Sequence, residues 1–143
     1  MNSEYTTFLF KIGIAALAGL FIGLEREFKG KEAGLKTNAL VAIGSAVFVI
    51  ISLQFRGEDN TDLTRVLSQV VTGIGFLGAG VIIKKEGGVS GLTTAATVWC
   101  SASVGCLSAV GMYVELGFLT VLIVLINLIF GYIDSKFKIS TKK

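Results

Sequence analysis

Apolar residues fall in five long runs separated by short polar stretches. The runs cover about residues 5–24, 37–55, 65–83, 92–111 and 113–133. Each is close to the ~20 residues that cross a hydrocarbon core of about 30 Å at 1.5 Å per residue. None alternates with a period of two, which excludes a transmembrane β-barrel. The pattern therefore predicts an all-α, polytopic membrane protein with five transmembrane helices. Residues 1–133 form the membrane domain and 134–143 a short basic tail. The first run has no basic stretch before it and no small-residue cleavage site leading to a polar chain. It reads as a retained helix.

Composition reinforces this. Hydrophobic residues are 52% of the chain, charged residues 16%, and mean hydropathy is +0.76. That is too little charge to cover a soluble domain of 143 residues. Net charge is +3, but the basic residues lie beside apolar runs, where they mark sidedness; no nucleic-acid partner is expected. Arg26, Lys29, Lys31, Lys36, Lys84, Lys85, Lys136, Lys138, Lys142 and Lys143 fall on one side, and Arg56 and Arg65 on the other. The positive-inside rule then puts the N-terminus outside and the C-terminus in the cytoplasm. Lys11 lies inside the first run and is expected to snorkel outward.

The chain resembles itself at an offset of 57 residues. Gly23 meets Gly80, Gly30 meets Gly87, Gly34 meets Gly91, Thr37 meets Thr94 and Ala39 meets Ala96. Both copies read as helix, loop, helix, a parallel two-hairpin repeat with a fifth peripheral helix added. Small residues permit close helix packing in lipid. Gly19 and Gly23 on the first helix, Gly73, Gly75, Gly78 and Gly80 on the third, and Gly105 on the fourth predict that these helices form the tight core. The fifth run is bulky all round, except at Asn127, and suits lipid or a partner.

Polar residues within or beside the spans are the candidates for function. Glu25, Arg26 and Glu27 lie just beyond the first span. They suit a headgroup-level ion-pair cluster, or carboxylates docked on the N-termini of helices two and four. Asp62 is placed to cap the third helix and to pair with Arg65. Arg65, Gln69, Thr72 and Phe76 continue as a stripe expected to face protein or water. Thr94, Thr97, Ser101 and Ser108 form a hydroxyl stripe on the fourth helix, expected mainly to join helices; the alternative is that the two stripes together line a small polar cavity. Trp99 lies between the interfacial belts; its indole N–H needs an acceptor, with Thr72 or Gln69 in reach. Cys100 and Cys106 point about 120° apart on one helix, so no intrachain disulfide is expected. There is no His, no activated nucleophile and no phosphate loop. No catalytic, cofactor or metal site is expected, and the chain reads as non-enzymatic.

Four segments carry a family resemblance: GLFIGLERE at 19–27, GLKTNALVAIGS at 34–45, DLTRVLSQVVTGIGFLGAG at 62–80 and GLTTAATVW at 91–99. In order and spacing they resemble the MgtC/SapB family of bacterial inner-membrane proteins. Glu25, Arg26, Glu27, Thr37, Asp62, Arg65, Gln69, Thr94 and Trp99 fall on its characteristic positions. Gly75, Phe76 and Gly80 belong to the same glycine-rich block and complete the candidate set. Many members continue into a cytoplasmic C-terminal domain, so this chain resembles a short form. The resemblance implies a regulatory role linked to magnesium limitation, stress and virulence. It also implies contact with other membrane proteins, ATP synthase among them. The alternative is a transporter or channel for magnesium, another cation or a small solute. Partners expected from the sequence are membrane lipid and, through the small-residue faces, a second copy of the chain.

Overall fold

The computed structural model describes residues 2–59, 62–86 and 88–140. Gly87, aligned above with Gly30, and the tail residues Lys142 and Lys143 lie outside them. The five expected helices are present: α1 (Asn2–Phe28), α2 (Leu35–Leu53), α3 (Leu63–Gly80), α4 (Leu92–Val110) and α5 (Tyr113–Ser140). α1, α2, α4 and α5 are each long and apolar enough to cross a membrane. α3 has 18 residues and carries Arg65 and Gln69, and it falls outside that set.

Several boundaries differ from the sequence expectation. α1 runs through Phe28, so Glu25, Arg26 and Glu27 belong to its last turns rather than to a loop. α3 stops at Gly80. The chain then forms a small antiparallel hairpin, β1 (Ile83–Lys85) and β2 (Gly88–Ser90), where the sequence suggested a helix end and a plain loop. α5 continues to Ser140, so the tail begins as helix. Gly34 and Gly91, aligned by the 57-residue offset, both stand at helix N-caps. Gly91 has φ +89°, and a side chain there would also meet the Val81 carbonyl, so only glycine suits this turn.

The main core joins α1, α2, α4 and α5. Ala15, Ala18, Ile22, Ala42, Ala46, Val49, Val104, Ala109, Leu116 and Ile123 are buried in it. Glycine sets the close approaches. A Cβ on Gly19 would lie 2.7 Å from the Ala39 Cα, one on Gly23 would lie 2.7 Å from the Leu35 Cα, and one on Gly105 would strike the Ala42 carbonyl. Cys100 and Cys106 are free thiols packed against this core. α5 contributes one stripe, Leu116, Thr120, Ile123 and Asn127, spaced as one helical face; many of its other large apolar residues are exposed.

α3 departs from its expected place in the core. Its only buried residue is Gly78, which meets Ala95 of α4. Val70 and Ile74 pack on a small second cluster of Val41, Val98 and Ala102. A Cβ on Gly73, Gly75 or Gly80 would meet nothing within 4 Å. The glycines give α3 the capacity for close packing, but of the four only Gly78 uses it, against Ala95.

Candidate functional site

Most of the buried polar groups gather where α1 ends and α2 and α4 begin. Glu25, Arg26, Asn38, Thr94, Thr97, Ser101 and Asn127 are all buried there; Ser45, Ser52, Ser108 and Thr120 are buried elsewhere. Burial of this kind is tolerable only if the groups satisfy one another. The Arg26 guanidinium donates to Thr94 Oγ1 at 2.8 Å. Its own neighbour Glu25 is 4.0 Å away, and Lys29 Nζ is 3.3 Å from the same carboxylate. Glu25 accepts no hydrogen bond, nor does Arg26 Nε donate one. The carboxylate is thus held by flanking charge rather than by directed bonds.

Deeper in, Ser101 donates to the Asn38 side-chain carbonyl at 2.7 Å. Asn38 in turn donates to the carbonyls of Ala33 and Gly34, the latter at 2.9 Å. This holds the turn before α2, where Ala33 has an unusual φ of +56°. Thr97 and Asn127 meet at 3.4 Å, linking α4 to α5. Lys29 crosses to the Asn127 carbonyl at 3.0 Å, passing over Gly131, where a Cβ would lie 2.7 Å from its Nζ. The cluster is a polar thread two turns long. It ends against Val104, Ala42 and Ala46, which are fully buried and apolar.

Glu27 docks as one of the sequence readings has it. Its carboxylate accepts from the Leu35 N–H at 3.2 Å, at the N-terminus of α2. At α4 the outcome differs: Arg26, not a carboxylate, reaches the first turns, by way of the Thr94 hydroxyl. The hydroxyl stripe of α4 joins helices throughout, since Ser108 also donates to the Lys11 carbonyl at 2.6 Å. Lys11 reaches another helix. It donates to the Ala109 carbonyl at 2.6 Å, a cation at the C-terminus of α4.

The remaining candidates stand elsewhere. Asp62 caps α3, accepting from the Thr64 N–H at 2.9 Å and the Thr64 hydroxyl at 2.6 Å. These bonds, with a smaller effect from nearby Arg65, hold its carboxyl below the usual carboxylate range. Asp62 and Arg65 form no ion pair among the described residues; the link between them is the Arg65 N–H to the Asp62 carbonyl at 3.2 Å. The expected inward stripe does not face the interior. Arg65, Gln69 and Thr72 are exposed, and Phe76 is 78% exposed. Thr72 returns its bond to the Ser68 carbonyl. The stripe therefore does not meet the hydroxyl stripe of α4, which faces α1, α2 and α5.

Trp99 finds neither Thr72 nor Gln69. It is 46% exposed and lines a cleft of about 510 Å³ between α3 and α4. Gly75 and Gly80 line no close contact, and Thr37 is exposed on α2. The residue that sequence reasoning missed is Asn38, next to Thr37 and fully buried. Its signal was a lone amide inside an apolar run, the same signal by which Asn127 was noticed. Among the described residues no three His, Cys, Asp or Glu side chains gather as metal ligands.

Residues 12–136, which include the buried cluster and the whole of α3, match the MgtC family. The chain belongs to the MgtC family. It is 49% identical to Protein MgtC of Brucella abortus (strain 2308) over 118 residues, 79% of this chain and 49% of that protein. It is 44% identical to Protein MgtC of Salmonella typhimurium (strain LT2) over 115 residues, 80% of this chain and 48% of that one. An uncharacterized Synechocystis protein is 45% identical over 122 residues, 84% of this chain and 51% of its own. The chain thus spans about half the length of these relatives. No solved structure matches it.

Proposed function

We propose that this chain is a non-enzymatic regulatory protein of the bacterial plasma membrane. It acts by contact with other membrane proteins during adaptation to low magnesium, stress or a host, and ATP synthase is the partner the family resemblance names. The observation that carries the reading is the end of the polar thread. Below Ser101, Val104, Ala42 and Ala46 are fully buried and Gly105 is seated on the Ala42 backbone; the next buried hydroxyl of α4, Ser108, lies two turns on and is taken up by the Lys11 carbonyl. Conduction needs a continuous polar route, and the packed interior of a single chain offers none. The contact face is the outer stripe of α3: Ser68, Thr72, Gly75, Phe76 and Ala79, all exposed and spaced as one helical face. In this reading the end that holds the hairpin and the α1–α2 turn faces the cytoplasm and the N-terminus lies outside; the basic residues gathered at that end support it.

Magnesium and proton uptake into liposomes containing the purified chain tests this. No uptake above protein-free liposomes is expected. Saturable magnesium uptake that depends on Arg65 would replace this reading with a transporter. In cells lacking the protein, Phe76→Ala is expected to abolish rescue of growth in low magnesium without lowering the amount of folded protein. Full rescue by Phe76→Ala would remove α3's outer stripe from the proposal.

A further inference from the structure

α2 and α3 stand apart along a groove of about 590 Å³, a volume usual for a ligand site. Its polarity is ordered. Arg65 lies at one end, Gln69 one turn further in, and Gly73 and Leu77 follow on the same α3 face; Phe48, Gly44 and Leu40 form the facing α2 wall. From Arg65 to Leu77 the α3 wall is about 18 Å long at 1.5 Å per residue, close to the ~15 Å of half a hydrocarbon core. Gly44 and Gly73 keep the middle wide, since a Cβ on either meets nothing within 4 Å.

The Arg65 side chain makes no hydrogen bond or ion pair among the described residues. The nearest acid in sequence, Asp62, has turned its carboxylate to Thr64. An unpaired guanidinium at the edge of the apolar region, followed by an amide and then an apolar trough, matches the order of phosphate, ester and acyl chain. We propose that this groove binds one glycerophospholipid, its phosphate on Arg65, an ester carbonyl beside Gln69 and one acyl chain lying between Gly44 and Gly73. Arginine recognises a phosphodiester through paired N–H donors and remains charged at any relevant pH. The groove residues of α3 adjoin its outer stripe without sharing a residue with it, and the lipid adduct is measured whether or not that stripe contacts a protein.

The test is native mass spectrometry of the full chain in detergent, titrated with phosphatidylglycerol or with diacylglycerol bearing the same acyl chains. A one-to-one phosphatidylglycerol adduct is expected, with diacylglycerol binding at least about tenfold more weakly. Gly44→Leu with Gly73→Leu adds side chains into the trough at positions where a Cβ meets nothing within 4 Å, and leucine favours helix, so these variants should fold and lose the adduct. Arg65→Gln should weaken it about tenfold, and Arg65→Lys less. Equal binding of diacylglycerol, or an adduct indifferent to the two leucines, overturns the proposal. Displacement of the lipid by millimolar inorganic phosphate would leave only an anion site at Arg65 and overturn it too. A dimer that disappears with the leucines would assign the groove to a second copy of the chain instead.

Discussion

Gly105 and Gly73 are the same residue on two membrane helices, and they do opposite things. Gly105 seats α4 on the backbone of α2, where even a methyl group would collide with the Ala42 carbonyl. Gly73 faces a groove and touches nothing. The contrast extends to whole regions. α1, α2, α4 and α5 share one buried core and exchange lysine, serine, threonine and asparagine bonds across their interfaces. α3 rests on a smaller apolar cluster and one bond from the Ser52 hydroxyl to the Leu63 carbonyl at 3.3 Å, and exposes its polar stripe. Small residues grant a helix the ability to approach closely; they do not choose the neighbour. That choice is made by polar side chains such as Asn38 and Ser101, which find partners only across one interface.

The sharpest way to break this contrast is to place leucine at both glycines separately. Gly105→Leu is expected to cost about 3 kcal/mol or more, since backbone must move. Gly73→Leu should change stability by less than about 1 kcal/mol, and toward greater stability, because leucine is the better helix former. Thermal unfolding in detergent reads both. Equal losses would mean that α3 is packed as tightly as α4. Next in size is Arg26→Ala, expected to cost about 3 kcal/mol by leaving the buried Glu25 carboxylate with Lys29 alone. Adding Glu25→Gln should restore part of that loss, and failure to do so would show that the two charges are uncoupled.

Lys11→Met is a smaller change, of about 1 kcal/mol, from loss of the cation at the end of α4. Hydrogen exchange should localise it to the last turn of α4. The mildest perturbation is acid. The Asp62 carboxyl has a folded pKa below its ordinary value, so its contribution is present at neutral pH and is lost as pH falls through the folded value. Hydrogen exchange at residues 63–67 should then rise on acidification while the amides around Val104 stay protected. Simultaneous loosening of both regions would erase the distinction between them.

Much of the architecture was legible because length and hydropathy are properties of a segment by itself. Five helices, the bulky peripheral α5, the cap by Asp62 and the docking of Glu27 all follow from local pattern. The site was legible in part. Glu25, Arg26 and Thr94 meet as one cluster, while Arg65, Gln69, Gly75, Phe76, Gly80 and Trp99 gather at α3 and its clefts, away from it. The reason is that helix rotation is set by neighbours. The α3 stripe is polar enough to suggest an interior, yet nothing in the segment states that Ser101 already has its partner in Asn38. The acceptor of Lys11 was hidden for the same cause: it lies 98 residues away.

Lys11 and Lys29 have a joint consequence. Both belong to α1 or its immediate end, and both reach main-chain carbonyls of other helices, one at Ala109 and the other at Asn127. Eighteen residues separate them, or five full helical turns and about 27 Å. They therefore lie on one side of α1 and work as two staples, one to α4 and one to α5. With α1 fastened at two levels, it cannot slide along its own axis against those helices without breaking an ammonium–carbonyl bond.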